Sequence, residues 1–263
     1  MMSDTVYIEV DPLTNQWLNE NCFSAYSGFS MKGYDVKPYT FSQLQSGQIE
    51  LDPNIPVVGT IRSVKTAIKA LGLPEPKNLD IPESLRTTYF LRRKVWYTTL
   101  KEARDNESLW PVFVKPADWQ KAFTGFVLED FRGCIKLAGF PEDMKLMCSA
   151  PVMFRNEWRG FVHKGKLLDV RPYAGNPCGY SPPEKFFQSI FEALCTDEVP
   201  VAYSVDVGFV DVPGPLSSFP EVVLIELNDS FSLGTYGLRP HLYVKMLEDR
   251  WREITSTHLK AAT

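Results

Sequence analysis

Two apolar runs near the C-terminal end, YSVDVGFV over 203–210 and EVVLIELND over 221–229, carry ionisable and amide side chains on segments that otherwise favour burial. The stretches Val205 to Val212 and Val222 to Leu227 are rich in β-branched and aromatic residues and are joined by a Pro/Gly/Ser loop, so they predict two short strands. Alternation along a strand puts Glu226 and Asn228 on one face, and an antiparallel neighbour can bring Asp206 beside them. Carboxylates in such a setting are costly unless something cationic meets them. Oxygen-only donors of this kind suit Mg²⁺ or Mn²⁺ rather than zinc. The alternative is a plain hairpin with acids on its wet face, and spacing alone does not separate the two. A fold for this chain must therefore either supply the cation or leave those strands exposed.

The 263 residues suffice for one large domain or for several small lobes around a cleft. A net charge of −4 argues against nucleic acid as a partner, while leaving room for a local basic cleft. No apolar run reaches membrane-spanning length, and MMSDTVYIEVD lacks the basic and apolar parts of a secretory signal, so the expected location is cytoplasmic with no membrane contact. Cys22, Cys134, Cys148, Cys178 and Cys195 form no CxxC pair and are expected to be reduced thiols. His163, His241 and His258 lie far apart and read as surface or structural residues.

Along the chain, TVYIEV and IPVVGT predict strands. Thr60 predicts the cap of a helix bearing Ile61, Val64, Ile68 and Leu71, stopped by Gly72 and Pro74. Residues 73–83, with three prolines, read as a surface linker, and residues 84–104 as a helix with several basic side chains. Strands follow at Val112 to Lys115 and Phe126 to Leu128. Lys115, at a strand end before a proline, reads as a phosphate hook or as a snorkelling surface lysine. The turn from Lys121 to Gly125 can close its backbone N–H groups over phosphates. Residues 146–173 predict a strand, a turn and a hairpin around His163–Lys166. Arg159 and Arg171 on neighbouring hairpin strands form either a fork for a carboxylate or phosphate, or plain solvent-facing charges. Helices beginning at Pro182 or Pro183 and at His241 read as scaffold.

The order of these parts, FVKP, then EWRGFV, VDVG and finally IELNDSFSLGTYG, resembles the ATP-grasp superfamily, and within it small carboxylate-amine ligases related to the RimK type. The resemblance covers about residues 55 to 240, and the order of its motifs carries more weight than any one of them. It implies an α+β ATP-grasp fold, with two α/β lobes clasping ATP behind a small α/β N-terminal lobe. The implied division is an N-terminal lobe over 1–80 and an ATP-grasp domain over 81–263, with a phosphate-loop lobe at 84–148 and a metal-binding lobe at 149–263. By the same resemblance, Lys115 and Lys94 hold ATP phosphates, and the turn containing Lys121 and Gly125 covers them. The connector including Ser149, Ala150, Pro151 and Val152 meets adenine through its backbone, and Glu157 meets the ribose. Asp206, Glu226 and Asn228 match the ligands of one or two Mg²⁺ ions. The implied chemistry passes a phosphoryl group from ATP to a small-molecule or peptide carboxylate, and an amine then displaces phosphate. Arg159 and Arg171 would hold the acid or its acyl phosphate, with Arg239 and Lys245 in reserve. A homo-oligomer is left open.

Departures from the pattern fall on the acceptor side. Ser204 stands where the D-alanine-ligase-like branch has an arginine, and Asp229-Ser230-Phe231-Ser232 replaces the common Ser/Thr-Pro-Gly, so Asp229 can take a share of the metal. The turn at 121–125 is also poorer in glycine than many. A kinase or phosphotransferase on the same scaffold is the alternative enzyme, separated by whether a hydroxyl acceptor alone supports turnover. A non-catalytic nucleotide-binding or scaffold protein is the third reading, opposed by the joint presence of Lys115, Asp206, Glu226 and Asn228.

Overall fold

Val6 and Ile8 point to one side of the first strand and Tyr7 to the other, and both sides are buried. The reason is that β1 (Thr5–Glu9) is the middle strand of a parallel three-stranded sheet with helices on both faces. A computed structural model describes residues 4–119, 122–211 and 220–259; the expected phosphate-covering residue Lys121 and the strand end expected at Val212 lie outside them. In this first lobe, α1 (Glu20–Met31) leads to β2 (Asp35–Tyr39), and α2 (Phe41–Gln45) leads to β3 (Val57–Val58) and α3 (Ile61–Ala70). The strand order is β2-β1-β3, the crossovers that parallel pairing requires. Thr60 caps α3 by accepting the Ser63 N–H, as its position predicts.

The helix expected over 84–104 is broken in the structure. A short α4 (Thr88–Leu91) ends at Arg92 in a left-handed conformation, and Val95-Trp96-Tyr97-Thr98-Thr99 then forms β4 (Val95–Thr99). That run of β-branched and aromatic residues prefers a pleated, half-buried surface, which overrides the helical spacing read across it. Thr99 caps α5 (Leu100–Asp105), and β5 (Val112–Pro116), β6 (Phe126–Leu128), α6 (Phe131–Ile135) and β7 (Lys145–Ser149) follow. These strands form an antiparallel sheet in the order β4-β7-β5-β6, over its own core of Leu100, Val112, Val114, Leu137, Leu146 and Cys148.

The third sheet, in the order β11-β10-β8-β9, is antiparallel throughout. The hairpin of β8 (Asn156–His163) and β9 (Lys166–Gly175) turns through Lys164 and Gly165, both at positive φ, the two-residue geometry that matches strand twist. After α7 (Glu184–Ala193) come the acid-bearing strands β10 (Ala202–Val210) and β11 (Glu221–Asp229), and then α8 (Pro240–Leu259). Trp158, Val162, Val205, Val207 and Leu224 face Phe187 and Ile190 of α7. On the opposite face, Phe161 and Ala202 join Val6, Ile8, Phe29, Val244 and Leu247, so the first lobe and the third sheet share one core. Gly28 permits the close crossing of α1 and α8, since a Cβ there would lie 2.5 Å from the Pro240 carbonyl oxygen.

The segment read as a surface linker is instead pinned across the third sheet. Leu227 donates its N–H to the Asp80 carbonyl at 2.7 Å, and the Asp80 side chain is buried. All five cysteines are free thiols. His163 is buried with Nε2 at 2.8 Å from Asp249, a structural role. Among the described residues no helix is long and apolar enough to cross a membrane.

Candidate active site

Strand register assembles a cluster of charge on the face of the third sheet that turns toward the other two. Antiparallel pairing sets Asp206 opposite Glu226, Ser204 opposite Asn228, and Arg159 of β8 opposite Asp206. Arg159 grips Asp206 bidentately, Nε to Oδ1 at 2.7 Å and Nη2 to Oδ2 at 2.6 Å. Asn228 Nδ2 lies 3.0 Å from Asp206 Oδ2 and 3.2 Å from Glu226 Oε1. From the second sheet, Lys115 Nζ reaches Glu226 Oε2 at 2.5 Å and also pairs with Asp80. Burial alone would raise the pKa of Glu226, but the Lys115 ammonium and the Asn228 amide outweigh it and hold the carboxyl below its usual value. Burial would likewise lower Lys115, and Glu226 and Asp80 outweigh it, so its pKa is raised.

Two cavities meet at Glu226. One, of about 470 Å³, lies between the second and third sheets, with walls from Phe113, Phe126, Val127, Met147, Val152, Phe154 and Ile225. Its polar atoms come from Arg93, Lys115, Ser149, Glu157, Tyr173 and Glu226. A pocket that is mostly apolar with a few convergent polar groups suits a ring system carrying charged substituents. A bulge in the pairing of β11 between Glu226 and Leu224 leaves Ile225 as an extra residue, and Ile225 then lines this cavity next to Glu226. Gly125 is the close wall, where a Cβ would fall 2.5 Å from the Phe113 ring. The second cavity, of about 640 Å³, lies between the third sheet and the first lobe. It is bordered by Arg159, Glu226, Asn228, Gly234 and Tyr236 on one side and by Asn19, Thr60, Arg62 and Lys65 on the other.

Of the residues expected from the sequence, Lys115, Gly125, Ser149, Val152, Glu157 and Glu226 line the first cavity, and Arg159, Glu226 and Asn228 line the second. Asp206 lies beneath them, buried against Arg159. Lys94 is directed elsewhere: it is exposed, with Nζ 5.4 Å from the Trp96 ring centroid, while its carbonyl accepts the Ala150 N–H. Ala150 and Pro151 are exposed and line no part of the first cavity. Arg171 is held by Asp169 at 2.6 Å and lines neither cavity, and the reserve residues Arg239 and Lys245 line neither of them. Asp229 is committed to α8, with both oxygens on Arg250.

Three contributors escape sequence reading. Arg93 lines the first cavity and donates to the carbonyls of Leu224 at 2.8 Å and Ile225 at 3.1 Å, and burial lowers its pKa to about 10 despite Asp80 and Glu226 nearby. Asp80 arrives from the segment that reads as a linker. Tyr173 is the extra residue where β9 shifts register opposite Glu157 and Trp158, and its hydroxyl donates to Glu157 Oε2 at 2.6 Å. None of the three has a local motif, since each is placed by a bulge or by long-range pairing.

The donor chemistry here fits a hard divalent cation. Among the described residues no group of three or more His, Cys, Asp or Glu side chains converges, so the oxygen set is two carboxylates and an amide. Glu226 and Asn228 face the cavities, whereas Asp206 has both oxygens on Arg159.

Residues 90–246 match a family model described as an ATP-grasp domain, the second family of its clade. Among solved structures, a D-alanine–D-alanine ligase from Bacillus anthracis is similar over 98% of this chain and 100% of its own, at 13% identity and a TM-score of 0.55. The same enzyme complexed with ATP gives 14% identity over 98% of this chain and 99% of its own, with a TM-score of 0.55. A RimK domain ATP-grasp protein from Sphaerobacter thermophilus is similar over 93% of this chain and 98% of its own, at 13% identity and a TM-score of 0.53. No curated protein matches in sequence. At such identities these structures speak to the fold, which is the α+β arrangement of lobes described above.

Proposed function

The chain belongs to the ATP-grasp superfamily, and from that premise we propose that it is an ATP- and Mg²⁺-dependent carboxylate-amine ligase. The observation that carries this reading is the position of Glu226 on the shared wall of two cavities, one apolar and of nucleotide size, the other polar and facing a separate lobe. A ligase of this kind needs such a layout, because the γ-phosphate must leave one compartment for an acid held in the next.

In this reading adenine lies between Phe113, Met147, Val152 and Ile225, and Glu157, oriented by the Tyr173 hydroxyl, meets the ribose. Lys115 and Arg93 donate to phosphate oxygens, Lys115 by giving up part of its hold on Glu226 and Asp80. Glu226 and Asn228, with Asp206 beneath them, would hold Mg²⁺, which when bound neutralises charge on the β- and γ-phosphates. An oxygen of the substrate carboxylate attacks the γ-phosphorus, the bond to the β-phosphate oxygen breaks, and ADP leaves with that electron pair. The amine nitrogen then attacks the acyl carbon, phosphate departs, and the nitrogen loses a proton to leave an amide.

Arg159 takes the part of the arginine missing at Ser204. Ser204 is fully buried, whereas the Arg159 guanidinium reaches the second cavity from the neighbouring strand. With Nε and Nη2 held by Asp206, its Nη1 has only a long 3.5 Å contact to the Gly234 carbonyl among the described residues and is the donor left to meet a substrate oxygen. Electrostatic positioning of this kind typically contributes several kcal/mol to a transition state. The deciding experiment measures ADP and phosphate release from ATP with Mg²⁺ and paired panels of acids and amines. Release that needs both partners is expected, and turnover with a hydroxyl acceptor alone would replace the ligase with a kinase.

A further inference from the structure

The wall of the second cavity that faces Glu226 is built by the first lobe, and its charge is unbalanced. Glu226 is the one acidic residue lining this cavity among the described residues, and it is matched by Lys115. Three cations line it: Arg159, which Asp206 balances, and Arg62 and Lys65 on α3. Lys65 has a single acidic neighbour among the described residues, Glu75 at 3.4 Å, in a pair that is partly open to solvent. The Arg62 guanidinium rests 4.1 Å from the centroid of the Phe41 ring, an apolar support that orients it while leaving its donors unpaired by any carboxylate among the described residues. Both side chains stand in the first two turns of α3, where the helix dipole adds charge of the same sign. Glu9 lies behind this wall, its carboxylate on the Thr60 N–H, and does not line the cavity.

A cavity of about 640 Å³ exceeds what the carboxylate of a small monoacid would occupy, and its positive end lies opposite the reacting end. We propose that the acid substrate of this site is dianionic: one carboxylate lies at Glu226 and Arg159, and a second anionic group, carboxylate or phosphate, is bound by Arg62 and Lys65. The assignment of the reacting end rests on the ligase reading above; binding of the second anion to α3 does not. Arginine presents a planar fork suited to two oxygens and lysine adds a point charge, so a carboxylate or a phosphate meets both.

The test uses the full chain saturated with ADP and Mg²⁺ and matched pairs that differ in the second anion: L-glutamate and L-glutamine, L-aspartate and L-asparagine, O-phospho-L-serine and L-serine. Calorimetric titration should find at least one acidic member binding about tenfold or more tightly than its neutral twin, the value of a charge-assisted contact. Phosphoserine against the dicarboxylates tells phosphate from carboxylate. The double substitution Arg62→Ala/Lys65→Ala removes an exposed and a half-buried side chain, so the core is untouched. It should erase the preference while ADP affinity stays within about twofold. Neutral twins binding as well as the acids, a preference that survives the double substitution, or no binding by any member to the ADP-loaded protein would each overturn the proposal. Binding with the predicted preference but without ADP and phosphate release in the presence of amines would sink the ligase reading and leave the anion site standing.

Discussion

Lys115 Nζ lies 2.5 Å from Glu226 Oε2, so a residue of the second sheet is ion-paired with a residue of the third at the mouth of the first cavity. Asp80 joins the same ammonium from the segment clipped onto β11. One lysine is thus shared by two carboxylates from different parts of the chain, and a phosphate entering the cavity competes with both.

Glu226→Gln removes the charge that the two cavities share while keeping the volume and a hydrogen-bonding end. ADP formation should fall by about two orders of magnitude or more, the scale of losing a central electrostatic group. Circular dichroism and the melting profile should show the fold retained. Turnover within a few-fold of the parent would mean that the phosphate and metal assignments are misplaced.

Removing Lys115 leaves Asp80 and Glu226 without their shared cation. Lys115→Met should destabilise the protein by about 3–5 kcal/mol, the scale of a broken buried pair. Adding Asp80→Asn should recover part of that loss, because one of the two stranded charges disappears. Urea denaturation of the two single variants and the double variant reads the coupling, and strictly additive effects would deny that the three groups act as a unit.

Arg93 and Lys94 are neighbours with opposite expectations. Arg93→Ala should weaken ADP binding about tenfold or more, since a buried guanidinium facing the cavity and tied to two carbonyls of β11 is lost. Lys94→Ala should leave ADP affinity within about twofold, because that side chain lies over Trp96 at the surface. Equilibrium titration with a fluorescent ADP analogue separates the two, and equal losses would return Lys94 to the site.

Asp249 accepts from both His163 and Lys164 and sits mostly buried on α8. Burial pushes its pKa up, but those two partners and Arg252 outweigh it and hold the carboxyl below its ordinary 3.8. With the folded pKa depressed, the stabilisation is complete above the unfolded pKa and is lost as pH falls through the folded one. Asp249→Asn should therefore cost about 1–3 kcal/mol at neutral pH. The gap to the parent should close in acid below about pH 4. A gap independent of pH would mean that the carboxylate is not ionised in the fold.

Much of the outline was legible in local patterns. The capped helix after Thr60, the hairpin at His163–Lys166, the acid-bearing strands and the terminal helix all appear where periodicity and turn chemistry put them. Local patterns failed where two periods overlap, as at 95–99, where helical spacing of apolar residues coincides with a β-branched run that pairs with β7. They failed again at Asp80, since a proline-rich segment has no feature announcing that it will add a bridge to β11.

The sequence by itself determined the inventory and the faces: which carboxylates and amides alternate on one side of β10 and β11, and which lysine ends β5. Period-two alternation is a property of the backbone and needs no partner. Only the tertiary structure decided which groups share that space. Register set Arg159 against Asp206, a bulge placed Ile225 beside Glu226, and the approach of the second sheet chose Arg93 over Lys94. Those choices depend on contacts between residues tens of positions apart, whose geometry is settled when the sheets pack and bury their common faces.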